Sequence, residues 1–285
     1  MNIRDFTFEK YDRLLESILE NGFDVLTVAE YLESDELPNR YVLLRHDVDR
    51  RVEIARSMAH LEASHGVQST YYFRTSTFDP DLVAEFERLG HEVGYHYEEL
   101  ARTNGNVEAA LERFEANLEA FRRYADVRTA CSHGSPLSSH QNLDMWADGR
   151  SPAAFDLLGE AYRSIETDDG DPEELSYCSD TGRRWGMVDP DFGVVETTDD
   201  LIELFEAGTC ARVYVLAHPS RWSRSRVEFV ERVGWDVAAE TGKRAVKPVH
   251  RVQAGTGVLG RDIVRTAARS VAVSRQLLRL TTRNW

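Results

Sequence analysis

The stretch Tyr41–Asp49, YVLLRHDVD, decides the fold of this 285-residue chain. Its first residues are apolar or aromatic, which is typical of a buried strand, and the stretch ends in charged residues. The next segment, Arg51–Ser64, has apolar residues at helical spacing. A buried strand followed directly by a helix predicts a parallel sheet with helical crossovers, in which this strand ends in polar groups.

The same alternation of strands and helices extends in both directions. Before this stretch, Phe8–Leu19 places apolar residues at helical spacing and predicts an amphipathic N-terminal helix. After it, short runs typical of strands alternate with helix-patterned stretches, which predicts an α/β fold with about seven parallel strands. The predicted strands are Tyr41–Arg45, Gln68–Phe73, Glu92–Tyr97, Val127–Cys131 and Arg212–Ala217, with two more near Phe155 and Ser176, and the later helices are Asp81–Leu89, Val107–Tyr124 and Asp199–Ala207.

Two acids lie at the end of the first of these strands. In an extended chain, residues two apart point the same way, so Asp47 and Asp49 leave one face together. Their mutual repulsion is relieved when a cation or a proton lies between them, which indicates a metal site. Alternatively, a D-x-D pair at a strand end could simply cap the following helix.

Histidines lie at the ends of later strands. His96 and Glu98 share a face, and an imidazole with carboxylates is a ligand set that zinc, iron(II) or manganese accepts. His133 follows its strand in the turn SHGSP, where it could ligate a metal or bind substrate. His218 ends the late strand VYVLAH. Because the carboxyl ends of parallel strands meet at one rim, these side chains predict a single site.

Other polar and aromatic residues could bind a substrate. The segment SDTGRRW brings guanidinium donors beside an indole, which suits a sugar or an acidic substituent, although an arginine pair is also typical of a surface patch. The candidate substrate-binding residues are His46, Asp180, Arg183, Arg184, Trp185 and Trp222.

The ordered motifs resemble those of the NodB-like polysaccharide deacetylases, carbohydrate esterase family 4. RHDVD, STYYF and GHEVGYH are similar to the family's Asp motif, buried aromatic strand and Gly-His-Glu-x-Gly-x-His motif, and the likeness extends over roughly Tyr41–Trp222. SHGSPLS, SDTGRRW and HPSRW look like a little-characterised polysaccharide deacetylase-like branch. The resemblance implies an irregular (β/α) barrel and a hydrolase acting on carbon–nitrogen bonds other than peptide bonds.

The resemblance also implies a role for four residues: Asp47 as catalytic base, Asp49 and His96 as metal ligands, and His218 as general acid. The family's third ligand is a histidine four residues after His96, where this chain has Leu100. Glu98 or His133 then takes its place, or the metal is weakly held or absent. The family's Arg-x-Pro-aromatic motif is also missing, with SHGSP in its place. The implied cofactor is a divalent ion, zinc first, with manganese, cobalt or iron as alternatives.

The implied reaction removes N-acetyl groups from an amino-sugar-containing carbohydrate or glycoconjugate by metal-activated water. Two other functions fit the same motifs. One is hydrolysis of a small non-sugar amide or imide. The other is catalytically silent carbohydrate binding, which the missing third ligand favours.

The amino-acid composition indicates which partners and which cellular location are expected. A net charge of −15 leaves the main body no basic surface for nucleic acid. The basic residues are nearly all arginine, and this acidic, halophile-like composition fits a salt-rich cytoplasm or, equally, a GC-rich genome. Three scattered cysteines, no signal-peptide pattern and no run of about 18 apolar residues predict a cytoplasmic protein. No pattern in the sequence predicts the oligomeric state.

Residues 251–285 differ in charge from the rest of the chain. Seven arginines face one acid there, so this tail carries about +6 and the remainder about −21. Arg261–Leu280 is compatible with a helix, which could pack on the acidic body or lie peripherally on an anionic membrane surface, where lipid-linked glycans would be substrates. We expect residues 1–250 to form the barrel and residues 251–285 a basic helical tail.

Overall fold

The structure is a computed structural model that describes residues 5–167, 175–225 and 228. The chain divides into two compact units, Met1–Arg224 and Ser225–Trp285, and the first unit holds nearly all of the described residues. The predicted boundary at residue 250 and the predicted basic helical tail lie outside the described residues.

Strands and helices alternate along the first unit. The helices are α1 (Phe8–Glu20), α2 (Val28–Glu33), α3 (Val52–Ser64), α4 (Pro80–Arg88), α5 (Glu99–Arg102), α6 (Val107–Arg122) and α7 (Thr198–Ala207), with 3₁₀ helices at Asn142–Trp146, Pro152–Phe155 and Pro219–Arg221. The strands are β1 (Asp24–Leu26), β2 (Tyr41–Val48), β3 (Thr70–Phe73), β4 (Glu92–Tyr97), β5 (Thr129–Ser132), β6 (Gly159–Glu160), β7 (Ser176–Ser179), β8 (Met187–Asp189), β9 (Gly193–Val195) and β10 (Arg212–Ala217).

The strands form one parallel sheet and one small hairpin. Seven strands follow the order β6-β5-β4-β3-β2-β10-β7, and β1 pairs beside this path with the first half of β2. β3 pairs with the second half of β2, where Arg45 is opposite Thr70 and Val48 is opposite Phe73. β8 and β9 form the antiparallel hairpin. The sheet with its crossover helices is an incomplete, irregular (β/α) barrel, which confirms the predicted fold class and its seven-strand path.

Most predicted elements are confirmed to within a few residues, and one is displaced along the chain. The strand predicted near Phe155 is a 3₁₀ helix, Pro152–Phe155, because proline begins that turn and Asp156 ends it in the left-handed conformation, with φ 54°. The strand of this region, β6, begins four residues after Phe155, at Gly159.

The N-terminal helix is built as its sequence pattern predicts. The hydroxyl of Thr7 accepts a hydrogen bond from Lys10 N at 3.3 Å and caps the first turn. The buried face of α1 has the helical period and lies in the core together with β2 and β10; it comprises Tyr11, Leu14, Leu15 and Ile18. Every helix among the described residues is too short or too polar for a membrane span.

Candidate active site

Asp47 lies at the carboxyl end of β2, a strand whose residues are all buried. Arg45, two residues earlier on the same face, donates from Nε to Asp47 Oδ1 at 3.1 Å and from Nη2 to Oδ2 at 3.3 Å. Burial would raise the pKa of the Asp47 carboxyl, but Arg45, His96 and His218 outweigh it and hold that pKa below its ordinary value. Asp47 is therefore a buried carboxylate at neutral pH.

Asp49 follows the strand end and has a different environment. Its Oδ1 is buried, with no hydrogen-bond partner among the described residues. Two imidazole nitrogens face this oxygen: His133 Nε2 at 3.2 Å, without the alignment of a hydrogen bond, and His96 Nε2 at 3.6 Å. Burial would raise the pKa of Asp49, but His133, His96 and His218 hold it far below its ordinary value. An anionic oxygen facing two imidazole nitrogens is the arrangement that a shared cation would complete.

His96 is oriented by the neighbouring strand. It lies on β4, and its Nδ1 donates to the carbonyl oxygen of Cys131 on β5 at 3.1 Å. In the neutral ring this bond leaves the lone pair on Nε2, as in metal sites where histidine donates its other nitrogen to a carbonyl. Burial would lower the pKa of His96, but Asp47 and Asp49 raise it above its ordinary value. Without a cation, the two carboxylates favour the imidazolium.

His133 follows β5, and the turn after it fixes its ring. Its Nδ1 accepts from Ser135 N at 3.1 Å and lies 3.1 Å from Ser135 Oγ, while Asn142 donates to the His133 carbonyl at 2.6 Å. This pattern places the proton of the neutral ring on Nε2, toward Asp49. If Nε2 bound a cation, the ring proton would lie on Nδ1, which would then donate a hydrogen bond to Ser135 Oγ in place of the one that it accepts from Ser135 N.

The ligand atoms of Asp49, His96 and His133 lie within 4.8 Å of one another. One carboxylate and two imidazoles make a donor set that suits zinc and related divalent ions, and the buried Asp49 oxygen supports the fit. A second group, Asp47, His96 and Cys131, meets the same distance criterion. It suits a cation less, because burial raises the pKa of the Cys131 thiol well above its ordinary value and so disfavours the thiolate.

Glu98, the other candidate for the third ligand, lies outside this group. Both of its carboxylate oxygens accept from Arg74 Nη2 at 2.8 Å, and Arg102 donates to Oε1 at 2.6 Å. Its Oε2 lies 3.8 Å from His133 Nδ1, on the side of that ring away from Asp49. Glu98 is thus placed behind the candidate ligand His133, as an outer carboxylate rather than a ligand.

His218 ends β10 and is held by a buried acid. Asp180, which is fully buried, accepts from His218 N at 2.8 Å through Oδ2, and its Oδ1 lies 2.6 Å from His218 Nδ1. Arg221 and Trp222 Nε1 also donate to Asp180, at 3.3 Å each. Because a carboxylate can only accept, Nδ1 carries a proton and Nε2 is the nitrogen left for other chemistry.

The predicted substrate-binding residues do not gather at the rim. Asp180 lies behind His218, whereas Trp185 and Trp222 lie in the apolar core, 1% and 0% exposed. His46 is fully buried on the opposite face of β2 because it has the opposite parity to Asp47.

The two predicted arginines lie in the turn after β7. Arg184 is exposed, 3.5 Å from Glu196, and Arg183 has a left-handed backbone with φ 64°. This position agrees with the surface-patch interpretation for Arg184.

Sequence reasoning missed residues at the floor of the site. Arg45 is fully buried, donates to the Tyr214 hydroxyl at 2.6 Å, and has its guanidinium 4.2 Å from the ring centroid of Tyr162. Tyr162 follows β6 and is 42% exposed. The parity that pairs Asp47 with Asp49 also includes Arg45, so this signal was available for the arginine, but none was available for the two tyrosines.

No protein-family model and no curated protein match the chain. Among solved structures, it is similar to peptidoglycan deacetylase PdaC from Bacillus subtilis, with 13% sequence identity and a TM-score of 0.35, over 72% of this chain and 97% of that one. A mutant of the same deacetylase matches with 12% identity and a TM-score of 0.32, over the same shares of the two chains.

Proposed function

We propose that this protein is a metal-dependent deacetylase of the NodB-like type, which removes N-acetyl groups from an amino-sugar-containing carbohydrate or glycoconjugate. The observation that carries the proposal is the buried Asp49 oxygen, which faces His96 and His133. Asp47 lies beside this group, with Oδ2 3.8 Å from His96 Nε2, and His218 contributes to the field on both acids. Candidate ligands, base and acid therefore occupy one rim of the barrel.

Asp49, His96 and His133 would hold the metal, and zinc suits their donor atoms best. When bound, such a divalent ion supplies Lewis-acid activation of water and of an amide carbonyl. Asp47 acts as general base, because Arg45 keeps it ionised and ready to accept a proton from the attacking water.

His218 delivers a proton to the departing amine. Its Nδ1 is bonded to Asp180, so the proton that is transferred comes from Nε2. Asp180 stabilises the imidazolium before transfer and fixes the plane of the ring. The same proton would be needed for any amide, so this arrangement supports carbon–nitrogen hydrolysis without selecting the substrate.

Tyr162 supports a sugar substrate. One face of its ring packs on the guanidinium of Arg45, while 42% of the residue is exposed at the rim, just after the strand that pairs with β5, and His133 follows β5. An exposed aromatic face beside a polar site suits the apolar face of a pyranose ring. A small amide would leave this face unused.

Metal analysis and a substrate panel test the proposal. We expect the purified chain to carry about one divalent ion per molecule and Asp49→Ala to lose it. We also expect acetate release from N-acetylglucosamine oligomers, abolished in Asp47→Asn. Activity confined to small amides or imides would replace the sugar substrate. Sugar binding without metal or turnover would identify a silent carbohydrate-binding protein.

The location inside the cell and the membrane contact are separate proposals. We infer a cytoplasmic location from the sequence pattern of the cysteines, all three of which are buried. Flotation with anionic vesicles tests membrane contact, and removal of residues 251–285 should abolish flotation if the basic tail is responsible.

A further inference from the structure

The N-terminal strap, Asp5–Thr7, lies against the chain that follows the His218 loop. Ser223 N donates to Phe6 O at 3.1 Å, and Phe8 N donates to Ser223 O at 3.0 Å. Thr7 and Ser223 thereby form an isolated parallel bridge. Four residues separate Ser223 from His218, and three of them, Pro219–Arg221, form a 3₁₀ turn, so the strap fixes the far end of a short connection.

Phe6 is held in the strap in a strained conformation. Its φ is 56°, in the left-handed region that bulky residues rarely adopt, and it is only 3% exposed. The Asp5 carboxylate accepts from Phe6 N at 2.9 Å and from Thr198 N at 3.2 Å, which ties the strap to α7. Strain of this kind persists where the surroundings fix a residue, and here they fix the direction of one aromatic ring.

The ring of Phe6 packs on Trp222. The two centroids are 5.3 Å apart with nearly perpendicular planes, and Tyr11 packs on the same indole at 4.9 Å. Trp222 Nε1 in turn donates to Asp180 Oδ2 at 3.3 Å. Oδ2 also accepts from His218 N, while Oδ1 holds the imidazole Nδ1. A change in the indole angle therefore alters the carboxylate that orients His218.

We propose that Phe6 is a positioning residue for His218, acting through Trp222 and Asp180. The proposal rests on the proposed function, in which His218 is the proton donor. The strap touches neither the candidate metal ligands nor Tyr162 in the described contacts, so it should affect proton delivery without affecting metal or substrate binding. Proton transfer needs close alignment, and small displacements of a catalytic group reduce turnover strongly.

Phe6→Leu tests the proposal, with Phe23→Leu as the matched control. Both phenylalanines are 3% exposed in the same core cluster, but the ring contact of Phe23 is with Phe205, 5.0 Å away. We expect Phe6→Leu to lower kcat about tenfold with KM and metal content unchanged. Phe23→Leu should change kcat less than twofold at a similar loss of thermal stability.

The ring resonances of His218 give a readout that needs no substrate. In NMR spectra of the full chain, Phe6→Leu should shift the His218 imidazole signals, and Phe23→Leu should leave them in place. If Phe6→Leu does not fold, Trp222→Phe, which removes the Nε1 donor to Asp180 but keeps a ring, should give the same shift and the same fall in kcat.

Two results separate the two proposals. Wild-type protein without deacetylase activity would overturn the proposed function, and the His218 resonances would still test the strap. If the wild type is active, the positioning role is overturned when Phe6→Leu and Phe23→Leu change kcat and the His218 signals to the same extent.

Discussion

Asp47 and Asp49 are the same residue type two positions apart, yet their surroundings prepare them for different chemistry. Asp47 is paired with a buried arginine, which neutralises it inside the protein and leaves no need for a metal. The Oδ1 of Asp49 accepts no such hydrogen bond: Arg74 Nη1 lies 3.9 Å away, and the imidazoles of His133 and His96 are closer, at 3.2 and 3.6 Å. Environment rather than residue type therefore separates the candidate base from the candidate ligand.

Removal of Arg45 should destabilise the protein by leaving a buried charge unpaired. We expect Arg45→Met to lower the free energy of unfolding by about 3–5 kcal/mol, because Asp47 would remain buried without its partner. Urea denaturation measures this loss. The double variant Arg45→Met, Asp47→Asn should recover a large part of it, and equal losses in the single and double variants would contradict the explanation.

Tyr162 should determine affinity rather than rate. Tyr162→Ala removes the exposed ring, and we expect KM for an N-acetylated sugar oligomer to rise about tenfold, equivalent to about 1.4 kcal/mol, with kcat little changed. Tyr162→Phe keeps the ring and should behave as wild type. A KM that responds equally to both substitutions would point to the hydroxyl group instead of stacking.

The residues of the rim differ in how far the sequence predicts them. Strand parity is enough to bring Asp47 and Asp49 to one face. It cannot distinguish Glu98 from His133 as third ligand, because that depends on Arg74, which binds Glu98 from a different strand end. Contacts between groups far apart in the chain have no local signal, and the same holds for Asp180 behind His218.

At the scale of elements, one buried carboxylate connects helices to strands behind the site. Glu62 on α3 accepts from the Tyr11 hydroxyl of α1, from Ser69 Oγ at 2.6 Å and from the Tyr71 hydroxyl of β3 at 2.9 Å. Its Oε1 also lies 2.7 Å from His46 Nε2 on β2. Since His46 neighbours Asp47, this network fixes the strand that carries the candidate base.

Because of Glu62, the free energy of unfolding should depend on pH in the acidic range. Burial would raise its pKa, but His46 above all holds it at about 2, below the ordinary 4.5. The ionised form therefore contributes stability that is complete above pH 4.5 and lost as pH falls toward 2. We expect Glu62→Gln to be less stable than wild type by about 3 kcal/mol at pH 7, and by much less near pH 2.

Unfolding free energies of both proteins at pH 7 and near pH 2 check this prediction. Glu53→Gln is the control, because Glu53 lies on the same helix with an exposed carboxylate, and it should differ little from wild type at either pH. A gap between wild type and Glu62→Gln that stays constant with pH would show that Glu62 contributes through packing rather than through its charge.

Short elements were the ones that the sequence did not predict. β1 has three residues and α2 has six, too few for a periodic pattern to stand out. The hairpin β8–β9 was missed for the same reason. Long elements with strong periodicity, such as α1 and α6, were predicted to within two residues, because a buried face repeated over several turns leaves a clear signal.

At the scale of the whole molecule, the sheet path begins at β6 and ends at β7, and side chains connect its two ends. The Tyr214 hydroxyl of β10 donates to the Ala161 carbonyl just after β6, at 3.1 Å, and accepts from Arg45 at 2.6 Å. Tyr177 of β7 packs on Tyr214 with ring centroids 5.5 Å apart. The fold class followed from strand and helix order, whereas this connection depends on side chains that approach only after the sheet curls.

Tyr214→Phe tests how far this connection stabilises the β6 end of the sheet. The variant keeps the ring but leaves the Ala161 carbonyl and the Arg45 Nη1 without their shared hydroxyl partner, so we expect a loss of about 1–3 kcal/mol. Because β6 has only two residues and pairs with β5, the loss should be local: amide exchange should accelerate at Ala161, whose N bonds to Ala130 O, more than at β3. Hydrogen exchange followed by mass spectrometry resolves the two segments. Uniform acceleration across both would mean that Tyr214 supports the whole barrel, and unchanged exchange at Ala161 would mean that the β5 pairing alone holds this end.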